Sequence, residues 1–256
     1  MQKQPVVTFW DHLEELRRVL FKVVGAVMVL MVVAFCFKDE LFAVVLAPQQ
    51  SDFIVYRWLG AESFQVQLIN TQLASQFITH MKVACYAGLL VAPPDLIYPL
   101  FRFVSPALYA NERRYVVQMT FWGYLLFMLG VLLNYFLIFP LTFRFLGTYQ
   151  VSALVENTIT LTSYVDTLMM LSLMMGIVFE IPILSWLFAK LGFLTSSFMK
   201  KYRRHAIVLI LIVAAFITPT SDVFTLTLVS LPMYLLYEIS IGVVKRTEPN
   251  QKGGVA

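Results

Sequence analysis

Residues 161–189 read LTSYVDTLMMLSLMMGIVFEIPILSWLFA, and the charged side chains among them are Asp166 and Glu180. As an α-helix rising about 1.5 Å per residue, such a run spans the roughly 30 Å of a bilayer's hydrocarbon. In lipid every backbone N–H and C=O must be satisfied internally, so a helix fits and an open strand does not. The same texture recurs outward from this stretch, in residues 19–37, 73–95, 112–140 and 223–244, with a shorter run at 206–217. The 256-residue chain is 59% hydrophobic and 13% charged, where soluble domains hold about 25% charged residues. The sequence therefore predicts an all-α integral membrane protein. It forms one transmembrane domain of about six helices, kinked at prolines, with short helices five and six.

The connections follow from local chemistry. Thr8 caps a helix start, with Asp11 three residues on. Phe9, Trp10, Leu13, Leu16 and Leu20 recur at helical spacing opposite Asp11, Glu14, Glu15, Arg17 and Arg18. Residues 8–18 are thus expected to form an N-terminal amphipathic helix on the membrane surface before helix one. No small-residue cleavage signature follows 19–37, which marks a retained helix. Residues 38–72, with Pro48 and Gly60, predict an outside cap, and the alternation of Phe64, Gln65, Val66, Gln67 and Leu68 suggests a hairpin in it. Helix two meets Pro93-Pro94, which removes two donors and must kink or end it, and the aromatic stretch 96–109 suits the membrane interface. Asn111 caps helix three, with Glu112 in its first turn. Residues 206–217 reach only about 18 Å, which implies local thinning or tilt, and 245–256 form a tail containing Lys and Arg.

Lys and Arg assign the sides. Fifteen fall in the N-terminal segment, the second and fourth connections and the tail, whereas Lys38, Arg57 and Arg144 lie on the other side. The positive-inside rule then predicts cytoplasmic termini, and segments 38–72 and 141–160 outside. These basic residues lie between apolar runs and form no basic face, so nucleic acid is not an expected partner.

Several ionisable side chains stand out. Glu180, about 15 Å from Lys190 along a helix, falls near the bilayer midplane. An acid there costs several kcal/mol unless it faces a cavity, a partner or a proton path. Pro182 frees the Val178 carbonyl beside it. Lys82 lies about 12 Å into helix two and is expected to snorkel outward. Asp166 and Glu238, near helix ends, read as solvated. Glu112 can be held by the helix dipole alone, and Glu14 and Glu15 can pair with Arg17 and Arg18. Cys36 and Cys85 lie in apolar runs without metal or disulfide spacing and read as buried thiols. His12, His80 and His205 are widely spaced, and no hydrolase, metalloprotease or phosphate-loop motif occurs. Neither an enzyme nor a bound cofactor or metal is expected.

Five strings, in order, resemble the TatC family, the large subunit of the twin-arginine protein translocase. They are HLEELRR at 12–18, Ala47-Pro48, SPALY at 105–109 leading into Glu112-Arg113-Arg114, FEIP at 179–182, and Thr218-Pro219 through Asp222-Val223-Phe224 to Leu231-Pro232-Met233. The resemblance implies a receptor in the bacterial inner membrane for signal peptides with paired arginines. It implies export of folded cargo driven by the proton-motive force, with TatA- and TatB-type single-helix partners, further copies of the chain and surrounding lipid. It also implies that Glu15, Arg17 and Glu112 bind the signal peptide, that Glu180 is the acid on the concave face of helix four, and that Pro48 is the proline of the first outside loop. A carboxylate suits a guanidinium because it accepts two parallel hydrogen bonds. Where the family often reads Thr-Pro-Pro-Asp, this chain has Thr218-Pro219-Thr220-Ser221-Asp222. The competing class is a proton-coupled small-solute transporter using Glu180, although the two halves share no visible repeat.

Overall fold

The computed structural model describes residues 9–60, 64, 66–92, 112–150, 152, 157–218 and 222–248, with the backbone alone at 9–13, 15, 16, 19 and 112–116. Among the described residues the fold is all-α apart from one pair of two-residue strands. Helix α1 runs Phe9–Cys36 without interruption, so the lead-in and helix one are a single rod of 28 residues. The polar face of residues 9–18 continues the helical register of the apolar run, and no Pro or Gly separates them.

The expected outside cap contains helices α2 (Lys38–Leu46) and α3 (Ile54–Trp58), with a single 3₁₀ turn at Ala47–Gln49 between them. The hairpin expected at Phe64 to Leu68 is corrected. Strand β1, Leu68–Ile69, instead pairs in parallel with β2, Ile159–Thr160, the entry to the fourth apolar run. A polar and apolar alternation fixes an extended backbone but leaves its partner open.

Helix α4 is Ser75–Val91, and α5 is Glu112–Leu133. Pro93-Pro94, residues 96–109 and Asn111 lie outside the described residues. Helix three does not stop at Pro140. A π-helical turn at Asn134–Ile138 leads into α6, Phe139–Thr148. The wider turn accommodates Pro140, whose nitrogen cannot donate to Phe136. Conversely, the expected single helix four is two helices, α7 (Leu161–Val178) and α8 (Ile181–Lys190), broken at Phe179 and Glu180 just before Pro182. Short α9 (Ser196–Lys201), α10 (Arg203–Ile217) and α11 (Val223–Thr247) are the last described helices.

Among the described residues, Val117–Thr148, Leu161–Lys190 and Val223–Thr247 are long and apolar enough to cross a membrane. A fourth candidate joins Leu20–Cys36 to Lys38–Trp58 across a 90° bend. Helices α4 and α10, with 17 and 15 residues, are shorter than those spans. A count of six crossings therefore does not follow from helix length and composition.

Contacts fix the directions. Phe35 on α1 stacks on His80 of α4 at 4.0 Å, and Gly88 of α4 abuts Val27 of α1, so these helices are antiparallel. Ser75 reaches Thr162, and Lys82 reaches Asp166, so α4 runs parallel to α7. Helix α5 opposes α7 through two glycines. A Cβ on Gly130 would sit 2.5 Å from the Met175 carbonyl, and one on Gly176 would sit 2.6 Å from the Phe127 ring. Only hydrogen fits at either place, which lets the two backbones approach closely. Helices α1 and α5 consequently start at the same end of the bundle. Val83, Ile138, Phe139, Tyr164, Leu171 and Met233 belong to the buried core between these helices.

Apolar residues outside that core are not misplaced. Val29, Phe121 and Leu209 are more than half exposed, as expected where lipid rather than water covers the surface. For the same reason the expectation of buried thiols is corrected: Cys36 and Cys85 are both free and exposed. An apolar flank signals burial only when the solvent is water.

Candidate functional site

The residues singled out in the sequence fall into three regions. At the end where α1 and α5 begin, Glu15 lies in α1 and Glu112 opens α5, their side chains lying outside the description. Arg17 is exposed. Its neighbour Arg18 is bound to Glu14 at 2.8 Å, one turn earlier. That exposed pair adds at most about 1 kcal/mol.

At the opposite end, Pro48 is buried in the 3₁₀ turn. Its carbonyl accepts from the Tyr56 hydroxyl at 3.0 Å, and the same hydroxyl lies 2.8 Å from the carbonyl of Pro140. Pro140 lies just beyond the π turn, so Tyr56 joins the cap to the interruption of helix three. The Tyr135 hydroxyl donates to Val44 and that of Tyr164 to Val45, at 2.7 and 2.9 Å. The cap is thus pinned to the spans through its own backbone carbonyls. Nothing in the spacing of these tyrosines signals the arrangement, because it joins residues up to 119 positions apart.

Between the ends lie the polar groups of the spans. Asn134, fully buried at the start of the π turn, donates to the Ser172 hydroxyl at 2.7 Å. Lys82 is paired, and Asp166 is not merely solvated. The ammonium lies 2.7 and 2.8 Å from the two Asp166 oxygens. The sequence did carry a signal, since opposite charges within two apolar runs favour each other's company. Glu238 is likewise engaged, by Arg203 at 2.8 Å and by the Tyr234 hydroxyl at 3.0 Å, which fastens the short α10 to α11.

Glu180 differs from all of these. It forms the break between α7 and α8, where Pro182 has no N–H for the Val178 carbonyl. Its Oε1 is buried and has no hydrogen-bond partner among the described residues. Leaving such an atom unmade costs about 1–3 kcal/mol, and more if it is charged. The region around the Gly130 and Gly176 contacts immediately precedes it, with Phe179 packed against Gly130. Among the described residues, the structure does not bring Glu180, Pro48 and the starts of α1 and α5 into one pocket.

A family model for the Sec-independent protein translocase protein (TatC) matches residues 11–232. The chain belongs to the TatC family. The TatC protein of Blattabacterium sp. subsp. Periplaneta americana is 33% identical over 252 residues, covering 91% of this chain and 93% of that one. The TatC protein of Deinococcus radiodurans is 34% identical over 232 residues, covering 91% and 83%. The fold matches a crystal structure of the twin arginine translocase receptor TatC, with a TM-score of 0.75, 31% identity and coverage of 92% of this chain and 99% of that one. As a TatC, the chain is an integral membrane component of the twin-arginine protein translocase, and a transport subunit rather than an enzyme.

Proposed function

We propose that this TatC reads twin-arginine signal peptides at its cytoplasmic face. With TatA- and TatB-type single-helix partners and further copies of itself, it supports export of folded proteins across the bacterial inner membrane, driven by the proton-motive force. The observation that supports this reading best is topological. Helices α1 and α5 begin at one end of the bundle, so the family-matched acids Glu15 and Glu112 belong to the same face as exposed Arg17. The fifteen-to-three division of basic residues favours that face, and both termini, as cytoplasmic. Glu15 and Glu112 then accept the guanidinium groups of the signal peptide, and Glu180 acts as the polar group within the membrane. Pro48 holds the outer cap.

Titration of a fluorescent twin-arginine signal peptide against the solubilised chain tests the reading. Glu112→Gln is expected to weaken binding roughly ten- to hundredfold, the equivalent of one charge-assisted hydrogen bond. A Lys-Lys peptide should bind poorly to both proteins. Unchanged affinity in Glu112→Arg, with the fold intact, would leave Glu112 as a support for the start of α5 only.

A further inference from the structure

Helix α3 of the cap has two unlike sides. Tyr56 is 1% exposed and points into the bundle, where its hydroxyl bonds the carbonyls of Pro48 and Pro140. Ile54 and Trp58 stand one turn apart, so they share a face, and that face lies opposite Tyr56. Trp58 is 90% exposed, and Ile54 and the adjoining Leu59 are each more than half exposed. Single apolar side chains on a surface need no explanation, whereas a contiguous group of this size marks a contact with something other than water.

The height of α3 in the membrane follows from the third span. Its apolar run begins after Arg114, and Phe136 comes 22 residues later, a rise of about 33 Å. Hydrocarbon is roughly 30 Å thick, so Phe136 stands where acyl chains give way to headgroups. Phe53, the residue before α3, stacks on Phe136 with ring centres 5.9 Å apart and planes 12° from parallel. It also meets Tyr135 edge-on at 5.7 Å. Helix α3 therefore starts at the edge of the hydrocarbon, beside Phe136 and Leu137, which are exposed on the outside of the span.

This continuity decides what covers the face. Phe136 and Leu137 belong to a span whose outward side meets lipid, and Phe53 carries the same apolar surface onto α3. The side chains at this height also have the chemistry of the boundary. An indole settles there with its ring against apolar groups and its N–H among polar ones. Arg57, exposed and next to Trp58, adds a cation on a stem long enough to reach phosphate.

We propose that α3 is an interfacial lipid anchor, with Ile54, Trp58 and Leu59 set into the leaflet on the cap's side. The cap is then held from two directions, by the Tyr56 hydrogen bonds on its inner side and by phospholipid on its outer side. The contact is with acyl chains and the glycerol region, so it takes phospholipid without a requirement for one headgroup. The proposal is independent of the signal-peptide reading, since it uses none of Glu15, Arg17, Glu112 and Glu180.

Trp58 supplies the test. The chain has four tryptophans, so the full-length protein carrying Trp10→Phe, Trp122→Phe and Trp186→Phe emits from Trp58 alone. It is reconstituted into phosphatidylcholine vesicles whose chains are brominated either near the glycerol or near the terminal methyl. Potassium iodide, present on both sides of the membrane, probes exposure to water. Bromines near the glycerol are expected to remove much of the emission, bromines near the methyl less, and iodide almost none. Ile54→Asp with Leu59→Asp alters two side chains that face away from the core, and should exchange lipid quenching for iodide quenching.

A spin label at Trp58→Cys, with Cys36→Ser and Cys85→Ser, measures the same contact without relying on fluorescence. Collisions with oxygen, which concentrates in lipid, should exceed those with a water-soluble nickel complex. Strong quenching by iodide with none by brominated lipid would overturn the anchor and place the face in water. Shielding from both quenchers would overturn it too, because a second copy of the chain or another protein would then cover the face. Stronger quenching by the deeper bromines would contradict the interfacial position.

Discussion

Lys82 and Glu180 are both ionisable side chains within apolar helices, and the fold treats them differently. Lys82 meets Asp166 at 2.7 Å across the α4 and α7 contact, beside a polar cavity of about 520 Å³ lined by Thr71, Thr162 and Asp166 itself. Glu180 sits at a helix break with a buried oxygen that no described group satisfies. A charge inside a membrane is costly in either setting. In the first, exposure to the polar cavity and a second charge together lower that cost, and the pair ties two helices together. In the second the cost persists among the described residues, which makes the group the candidate site. The difference separates a structural charge from a candidate site better than depth in the membrane does.

Exchanging the chemistry at Glu180 tests that contrast most severely. In cells exporting a reporter with a twin-arginine signal, Glu180→Lys is expected to abolish export, because it puts an uncompensated cation within the membrane in place of the acid. Glu180→Ala should reduce export strongly. Glu180→Gln, which keeps a neutral hydrogen-bonding group, should retain most of it. Full export by Glu180→Ala would make this residue as structural as Lys82.

A smaller effect is expected from wedging the helices apart beside each group. Gly130→Ala forces a methyl to within 2.5 Å of the Met175 carbonyl next to the break, whereas Gly88→Ala meets the Val27 carbonyl at 2.9 Å on the α1 side of α4. Thermal unfolding in detergent should show a loss of about 1–3 kcal/mol for Gly130→Ala, with the smaller loss for Gly88→Ala. Export should also fall more for Gly130→Ala. The reverse order would place the rigid contact at α4 instead of at the break.

The smallest effect belongs to the ion pair. The side chains of Lys82 and Asp166 are 40% and 47% exposed, so their attraction is screened. Lys82→Met is expected to cost no more than about 1 kcal/mol in the same unfolding measurement. Adding Asp166→Leu should recover that loss, because the orphaned acid goes with its partner. A double variant that unfolds more readily than the single one would show that Asp166 has another role, and would bring it closer in kind to Glu180.

The sequence alone determined the solvent, the dominant element and the family. Apolar runs of membrane-spanning length require helices because lipid offers backbone groups no partner, and that rule is local to each segment. The strings at 12–18, 47–48, 105–114, 179–182 and 218–233 identified TatC without any knowledge of contacts. Glu180 was legible for the same reason, since an acid in an apolar run needs no neighbour to be conspicuous. Tertiary structure decided whatever required a partner distant in the chain. It joined Lys82 to Asp166, Asn134 to Ser172, and Tyr56 to two prolines. It carried helix three past Pro140 by a π turn, broke helix four at Pro182, and exposed both cysteines. A proline removes one donor wherever it stands, but whether the helix ends, widens or breaks there depends on what packs around it across the bundle. At Pro140 the proline's own carbonyl accepts from a tyrosine 84 residues away, and no pattern within either segment records it.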